Sequence, residues 1–308
     1  MMCNDKNRYL YRAFGLKFIS DFYLPELIEL EESEKIDVNI VKGKVPIRID
    51  KVVWEEKNVK ISQNELIFEI DDVGKYYLRN GNFIIVEPDK NASDNSMRLY
   101  LLGMALGTLL LQRDMVSIHG SIVVIDGKAI ILSGVSGAGK STLSSAFRKI
   151  GHLILTDDIS VIKINEEGIP IAQPGYPQQK LWSDSLEIVG EDKSQVCEVS
   201  TKQNKYSFTI KEGFLDSPVP LVAIFEISPE ECNCVEINQF HGVDKLNILL
   251  KNIYRGVLFR ILGTKSQYFK QCLEISKNIE VFKLVRPKDI FSLEDQVKFI
   301  KQKIECLV

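Results

Sequence analysis

The run Gly134-Val135-Ser136-Gly137-Ala138-Gly139-Lys140-Ser141, with Thr142 behind it, fits G-x-x-x-x-G-K-[ST], the pattern of a loop that holds the phosphates of a nucleoside triphosphate. Each fixed position has a physical reason. Glycines let the backbone curl until successive N–H groups point at the β- and γ-phosphates. Lys140 brings a point charge to the β/γ oxygens, and Ser141 offers a hydroxyl to Mg²⁺. ATP with Mg²⁺ is therefore the expected ligand, and every residue from Gly134 to Thr142 is a candidate contact.

Asp157 and Asp158 follow Lys140 by 17 and 18 residues. Phosphoryl transfer needs an acidic group for the metal and a carboxylate that takes the proton of the acceptor hydroxyl. Two adjacent carboxylates can divide those tasks, and mutual repulsion is expected to raise the proton affinity of one of them. A solvated Asp-Asp turn is the competing reading. The pair's place, at the end of an apolar run directly behind a phosphate loop, favours chemistry. His119, just upstream and before Gly120, is open between a site histidine and a satisfied structural one. Three arginines are candidates to stabilise the transferring phosphoryl group: Arg255, Arg260 and Arg286. Arg255 is preferred because it interrupts the apolar surround of Ile253, Tyr254, Val257 and Leu258.

These residues need elements to position them. Ala129-Ile130-Ile131-Leu132-Ser133 reads as a buried strand leading into the loop, and 142–149 as a helix whose positive dipole end meets the phosphates. Gly151 is a C-terminal stop for that helix. His152-Leu153-Ile154-Leu155-Thr156 then reads as a second buried strand, which delivers the acids to the same sheet end. Asp126-Gly127 predicts a hairpin, so the strand feeding the loop runs antiparallel to its predecessor. The fold class is thus α/β with α+β character: a phosphate-loop core on a mixed sheet. Helices are expected over 97–113, 243–262 and 265–278, and a last one opens at Ser292-Leu293-Glu294-Asp295, which resembles a capping box. Residues 1–88 read as β-rich, with an opening strand from Tyr9 to Phe18 and a hairpin at Asn80-Gly81. The polar stretch 88–96 places a boundary, giving a smaller β-rich domain over 1–95 and the phosphate-loop domain over 96–308. Residues 173–182 form a turn-rich segment that is either a substrate wall or a connection, and the polar segment 190–205 is a candidate cover for the acceptor.

Composition removes several classes. A net charge of −3 with both signs interspersed leaves no broad surface for nucleic acid. The most apolar stretch, 99–111, is too short for a membrane span and contains Gly103 and Gly107. Six cysteines include no C-x-x-C pair, and the three histidines are scattered, which argues against zinc. The opening residues are polar, so a cytoplasmic protein with reduced thiols is expected.

Ser117-Ile118-His119-Gly120, then Gly134 to Thr142, then Gly151 to Asp158 together resemble the catalytic core of the HPr kinase/phosphorylase family. The resemblance covers about 117–160 and implies an ATP-dependent serine kinase with that family's mixed sheet. It implies His119 in the active site, Asp157 as the base, Asp158 beside the metal and a possible homo-oligomer. No Gly-Gly-Arg-Glu-type signature follows the core, which sets HPr itself and the reverse phosphorylase reaction apart. Over its whole length the chain is more similar to the kinases of lasso-peptide gene clusters, on Tyr11-Arg12-Ala13-Phe14-Gly15-Leu16 and on Arg286-Pro287. That branch implies a precursor peptide as partner, phosphorylated on a C-terminal serine.

Two other classes compete with a kinase. A nucleotide-binding regulator needs the loop but not the paired acids. A GTPase needs an Asn-Lys-x-Asp segment, and Asn204-Lys205-Tyr206-Ser207 lacks the Asp.

Overall fold

The computed structural model describes residues 8–33, 35–190, 197–200 (backbone only) and 204–307. Two compact units emerge from its internal contacts: Met1–Met115 with Val257–Thr264, and Val116–Gly256 with Lys265–Val308.

The first unit carries β1 (Tyr9–Ala13), β2 (Leu16–Ser20), β3 (Ile28–Glu29), β4 (Val38–Lys42), β5 (Trp54–Glu56), β6 (Val59–Ile61), β7 (Glu65–Ile70), β8 (Gly74–Arg79) and β9 (Phe83–Pro88). Among the described residues they form one sheet in the order β3-β1-β2-β4-β9-β8-β7-β6-β5. The Asn80-Gly81 hairpin is present, and both residues have positive φ, 52° and 64°. The opening strand expected from Tyr9 to Phe18 is instead a hairpin, because Phe14-Gly15 turns the chain with φ of 57° and 67°. Phe14 is fully buried, and an apolar residue at a turn leaves no polar signal in the sequence. The helix expected over 97–113 is present as α1 (Asp94–Tyr100), a π-helical stretch (Leu101–Ala105) and α2 (Leu106–Gln112). Ser93 caps α1 by accepting from Ser96 N.

The second unit contains β10 (Val116–Ile125), β11 (Lys128–Ser133), α3 (Lys140–Lys149), β12 (Leu153–Thr156), β13 (Ile159–Ile164), β14 (Pro170–Gln173), β15 (Gln178–Trp182), α4 (Ser183–Val189), β16 (Cys197–Ser200), β17 (Lys205–Thr209), β18 (Val219–Glu230), β19 (Glu236–Phe240), α5 (Val243–Lys251), α7 (Ser266–Asn278), β20 (Glu280–Pro287) and α8 (Leu293–Glu305). Between α5 and α7 the chain forms α6 (Gly256–Leu262). The sheet is mixed. β11 runs antiparallel to β10, across the Asp126-Gly127 turn, and parallel to β18, which in turn runs parallel to β20. β10 has two partners along its other edge: β13 pairs with Val116–His119, and β12 pairs with Ile122–Val124.

α3 is fixed by burial. Leu143 and Phe147 are fully buried against Val123, Leu132 and Phe225 of the sheet and Ile300 of α8. Gly151, at φ 96°, ends this helix as expected, donating to Arg148 O at 3.0 Å.

The single helix expected over 243–262 is broken. Residues 252–254 leave the helix and bond to the start of β10: His119 N donates to Asn252 O and Tyr254 N to Ser117 O, each at 2.8 Å. Arg255 follows with φ 57°, so it sits at a kink and not on a helix face. The capping box at Ser292 does not form either; Ser292 Oγ accepts from the Gln296 amide at 3.2 Å. No helix of the described residues is long and apolar enough to cross a membrane.

Candidate functional site

The phosphate loop leaves β11 at Ser133 and enters α3 at Lys140. Gly134 has φ 135°, and a Cβ there would stand 2.6 Å from Ile227 O on neighbouring β18. No side chain fits that gap. Gly134→Ala is therefore expected to lower unfolding stability by about 1–3 kcal/mol, the scale of one strained backbone position, and a urea titration measures it. Unchanged stability in that titration would mean that the loop is not held against β18. Lys140 is 8% exposed, and its Nζ donates to Gly134 O and Val135 O at 2.9 Å each, which centres the ammonium in the loop. Burial pushes its proton affinity down, against the pull of Asp157 and Asp158.

β10 brings the remaining groups to the loop. Thr156 pairs with Ile122 and Ile159 with His119, so the two acids form the link between strands that share β10. The chain turns there with Asp158 at φ 77°. Gly120 lies at the crossover; a Cβ on it would meet Leu132 O at 2.6 Å.

The two carboxylates have different surroundings. Asp157 is 5% exposed. It accepts from Ser121 Oγ, from Lys180 N at 3.0 Å, and from Ser141 Oγ at 3.1 and 3.2 Å to its two oxygens. Asp158 faces His119, whose Nδ1 lies 3.2 Å from its Oδ1, and Lys180, whose Nζ lies 3.9 Å from its Oδ2. The Tyr254 hydroxyl donates to it as well. Burial works to raise the proton affinity of Asp158, but the His119 hydrogen bond and the Lys180 and Lys205 charges outweigh it. The carboxyl is held well below its usual range. Raised proton affinity, the sequence expectation for one member of the pair, is not what Asp158 shows. Cations around it decide the sign.

His119, Ser121, Asp157, Asp158, Lys180 and Lys205 line one cleft of about 550 Å³ together with Ser136, Gly137, Gly139, Lys140, Ser141 and Thr142 of the loop. Arg286 also lines it, and its Nε donates to Ala138 O at 2.9 Å. Arg255 is not among the lining residues; its guanidinium stacks 5.0 Å from the Tyr254 ring, behind the side chain that touches Asp158. Arg260 is exposed on α6.

Sequence reasoning passed over Lys180, Lys205 and Ser121. Residues 173–182 are not one connection: the segment ends in β15, which pairs with β17. β15 is pinned to α3 by the buried Gln179, which accepts from Ser145 Oγ at 3.1 Å and donates to Ser144 Oγ at 2.8 Å. The alternation of Gln179 and Leu181 with Lys180 and Trp182 was a usable strand signal. Of the segment 190–205, residues 191–196 and 201–203 lie outside the described residues.

Hard oxygen donors suit Mg²⁺, and Ser141 Oγ beside the Asp157 carboxylate supplies two of them. Among the described residues no cluster of three His, Cys, Asp or Glu forms a metal cage. Mg²⁺ bound through one carboxylate and substrate phosphates needs none.

No protein-family model matches the chain. A 48-residue stretch is 44% identical to an HPr kinase/phosphorylase of Lachnoclostridium phytofermentans; the match spans 16% of this chain and 16% of that protein's length. The solved Hpr(Ser) kinase/phosphatase of Coxiella burnetii aligns over 61% of this chain and 98% of that chain, with 16% identity and a TM-score of 0.33.

Proposed function

We propose that this chain is an ATP-dependent kinase that phosphorylates a serine hydroxyl of a peptide or protein. One observation carries the reading: Ser141–Asp157 and His119–Asp158 open on the same cleft as the phosphate loop. Nucleotide storage or sensing has no use for a second, cation-flanked carboxylate beside the terminal phosphate.

The division of labour we propose follows the hydrogen bonds and exchanges the roles implied by family resemblance. Asp157, tied to the Ser141 hydroxyl, orients the metal-binding pair. Mg²⁺ held there would neutralise the charge that develops on the β- and γ-phosphate oxygens. Asp158, held by His119 Nδ1 at its Oδ1, receives the proton as the acceptor oxygen bonds to the γ-phosphorus and the bond to the ADP oxygen breaks. Lys140 stabilises the transferring group, and Arg286 braces the loop through Ala138 O. Lys180 and Lys205 keep Asp158 ionised. Arg255 steadies Tyr254, which in turn holds Asp158.

At the end of β15, Trp182 is 39% exposed on the cleft, with Lys205 Nζ 5.8 Å from its ring. That side of the cleft is our assignment for the peptide acceptor. The C-terminal serine of a lasso precursor is the finer proposal, and it rests on the resemblance at Tyr11–Leu16 and Arg286-Pro287. The test is incubation with γ-labelled ATP, Mg²⁺ and serine-ended peptides. Label in intact peptide is the expected result. Label found only as free phosphate, or not released at all, would leave a nucleotide-binding regulator as the better reading.

A further inference from the structure

The cleft has an apolar rim on each side, and the acids account for only one. Trp182 and Ile188 belong to β15, whose Lys180 N bonds to Asp157, and to the α4 that follows it. On the other side, Ile290 and Phe291 lie in the link between β20 and α8. They are 51% and 67% exposed, yet both line the same cleft as the phosphate loop.

Resting on the reading that a nucleoside triphosphate occupies this loop, we propose that Phe291, flanked by Ile290, is the platform on which its base stacks. Sheet order supplies the direction. The acids reach the loop strand β11 from one flank, through β10 and β12. β20 lies on the opposite flank, through β18. A triphosphate is a linear chain with the reacting phosphoryl at one end and the nucleoside at the other. Fixing the γ end at Ser141 and the acids sends the nucleoside end toward β20. There the chain leaves the sheet at Pro287 and passes the mouth of the cleft before α8 begins at Leu293. The Arg286 bond to Ala138 O ties this segment to the loop.

The chemistry fits. A base offers a flat π-face that covers an exposed aromatic ring, and such stacking tolerates any base. Gln296 lines the same wall, 6% exposed, with Nε2 donated to Ser292 Oγ. The cleft's 550 Å³ is within the size range of sites that bury a small ligand.

Calorimetric titration of the full chain with ATP and with inorganic tripolyphosphate, each with Mg²⁺, tests this. The parent chain is expected to bind ATP more tightly than tripolyphosphate. Phe291→Ala lowers ATP affinity about tenfold, the scale of one base stacked on one aromatic ring, and leaves tripolyphosphate affinity within about twofold. Ile290→Ala moves ATP affinity in the same direction by less. Equal losses for both ligands, no loss of ATP affinity in Phe291→Ala, or a loss of ATP affinity from Trp182→Ala instead, would each overturn the platform while leaving the triphosphate site in place. Failure of the parent chain to bind either ligand would overturn both.

Discussion

Asp158→Asn is expected to slow transfer to the acceptor hydroxyl by about 10²–10⁴, the range a positioned base contributes, while ATP affinity stays within about twofold. The fold tolerates the change. Asp158 sits at φ 77°, a conformation that asparagine, like aspartate, adopts more readily than other non-glycine residues. The amide oxygen still accepts from His119 Nδ1, so position is kept and only the charge and the proton-accepting capacity are lost. Asp157→Asn differs. That carboxylate accepts from Ser121, Ser141 and the Lys180 N–H, and an amide NH₂ turned toward any of these donors is unsatisfied. The expected outcome is a higher Mg²⁺ requirement and lower stability, with transfer partly restored at high Mg²⁺. Single-turnover rates across a Mg²⁺ titration separate the two variants. If Asp157→Asn alone abolished transfer at saturating Mg²⁺, and Asp158→Asn reacted at the parental rate, the division implied by family resemblance would stand and ours would fall.

The same substitution has a pH signature. Asp158 holds its proton less tightly in the folded chain than when unfolded. Its stabilising contribution is therefore complete above the unfolded carboxyl pKa of about 3.9 and is lost as pH falls from there through the lower folded value. The stability gap between parent and Asp158→Asn should be full near neutral pH and narrow below about pH 4. Unfolding curves taken across that window check the sign.

Lys140→Met is the second large effect. Methionine keeps the length and much of the volume of the stem and removes the charge. ATP affinity is expected to fall by about 10–10², the scale of one charged hydrogen-bond contact, and transfer to become undetectable. Stability should change little, or rise, because burial opposes the Lys140 charge. Part of that gain is offset by the Gly134 and Val135 carbonyls, which lose a donor. Thermal unfolding beside calorimetry distinguishes the roles. A large loss of stability with ATP binding intact would make Lys140 a brace of the loop and not a phosphate ligand.

The phosphate loop, both hairpins with Gly turns and the strand ahead of the acids were legible because their signals are local. Asn80-Gly81 and Asp126-Gly127 announce their turns through residues that accept positive φ. Phe14-Gly15 did not, since a buried phenylalanine in that conformation breaks the usual turn chemistry. The break after Lys251 was hidden for a different reason. Asn252 and Tyr254 trade helical bonds for bonds to β10, more than a hundred residues away in sequence, and local periodicity carries no trace of such a partner. Distance in sequence also explains the site residues that were missed or misjudged. Lys180 meets Asp157 and Asp158 only through β15. Apolar neighbours made Arg255 attractive, yet they marked its closeness to a buried tyrosine and not to the cleft.

β10 sets the spacing of the whole centre, because it pairs with β11 along one edge and with both β12 and β13 along the other. Adding or deleting one residue between Ser117 and Ile122 would displace His119 by a single strand step of about 3.3 Å and turn it to the opposite face of the sheet. Lengthening the tip at Asp126-Gly127 would do neither. Chains that share this chemistry are therefore expected to differ freely in the size of that tip while keeping an unvarying interval along β10.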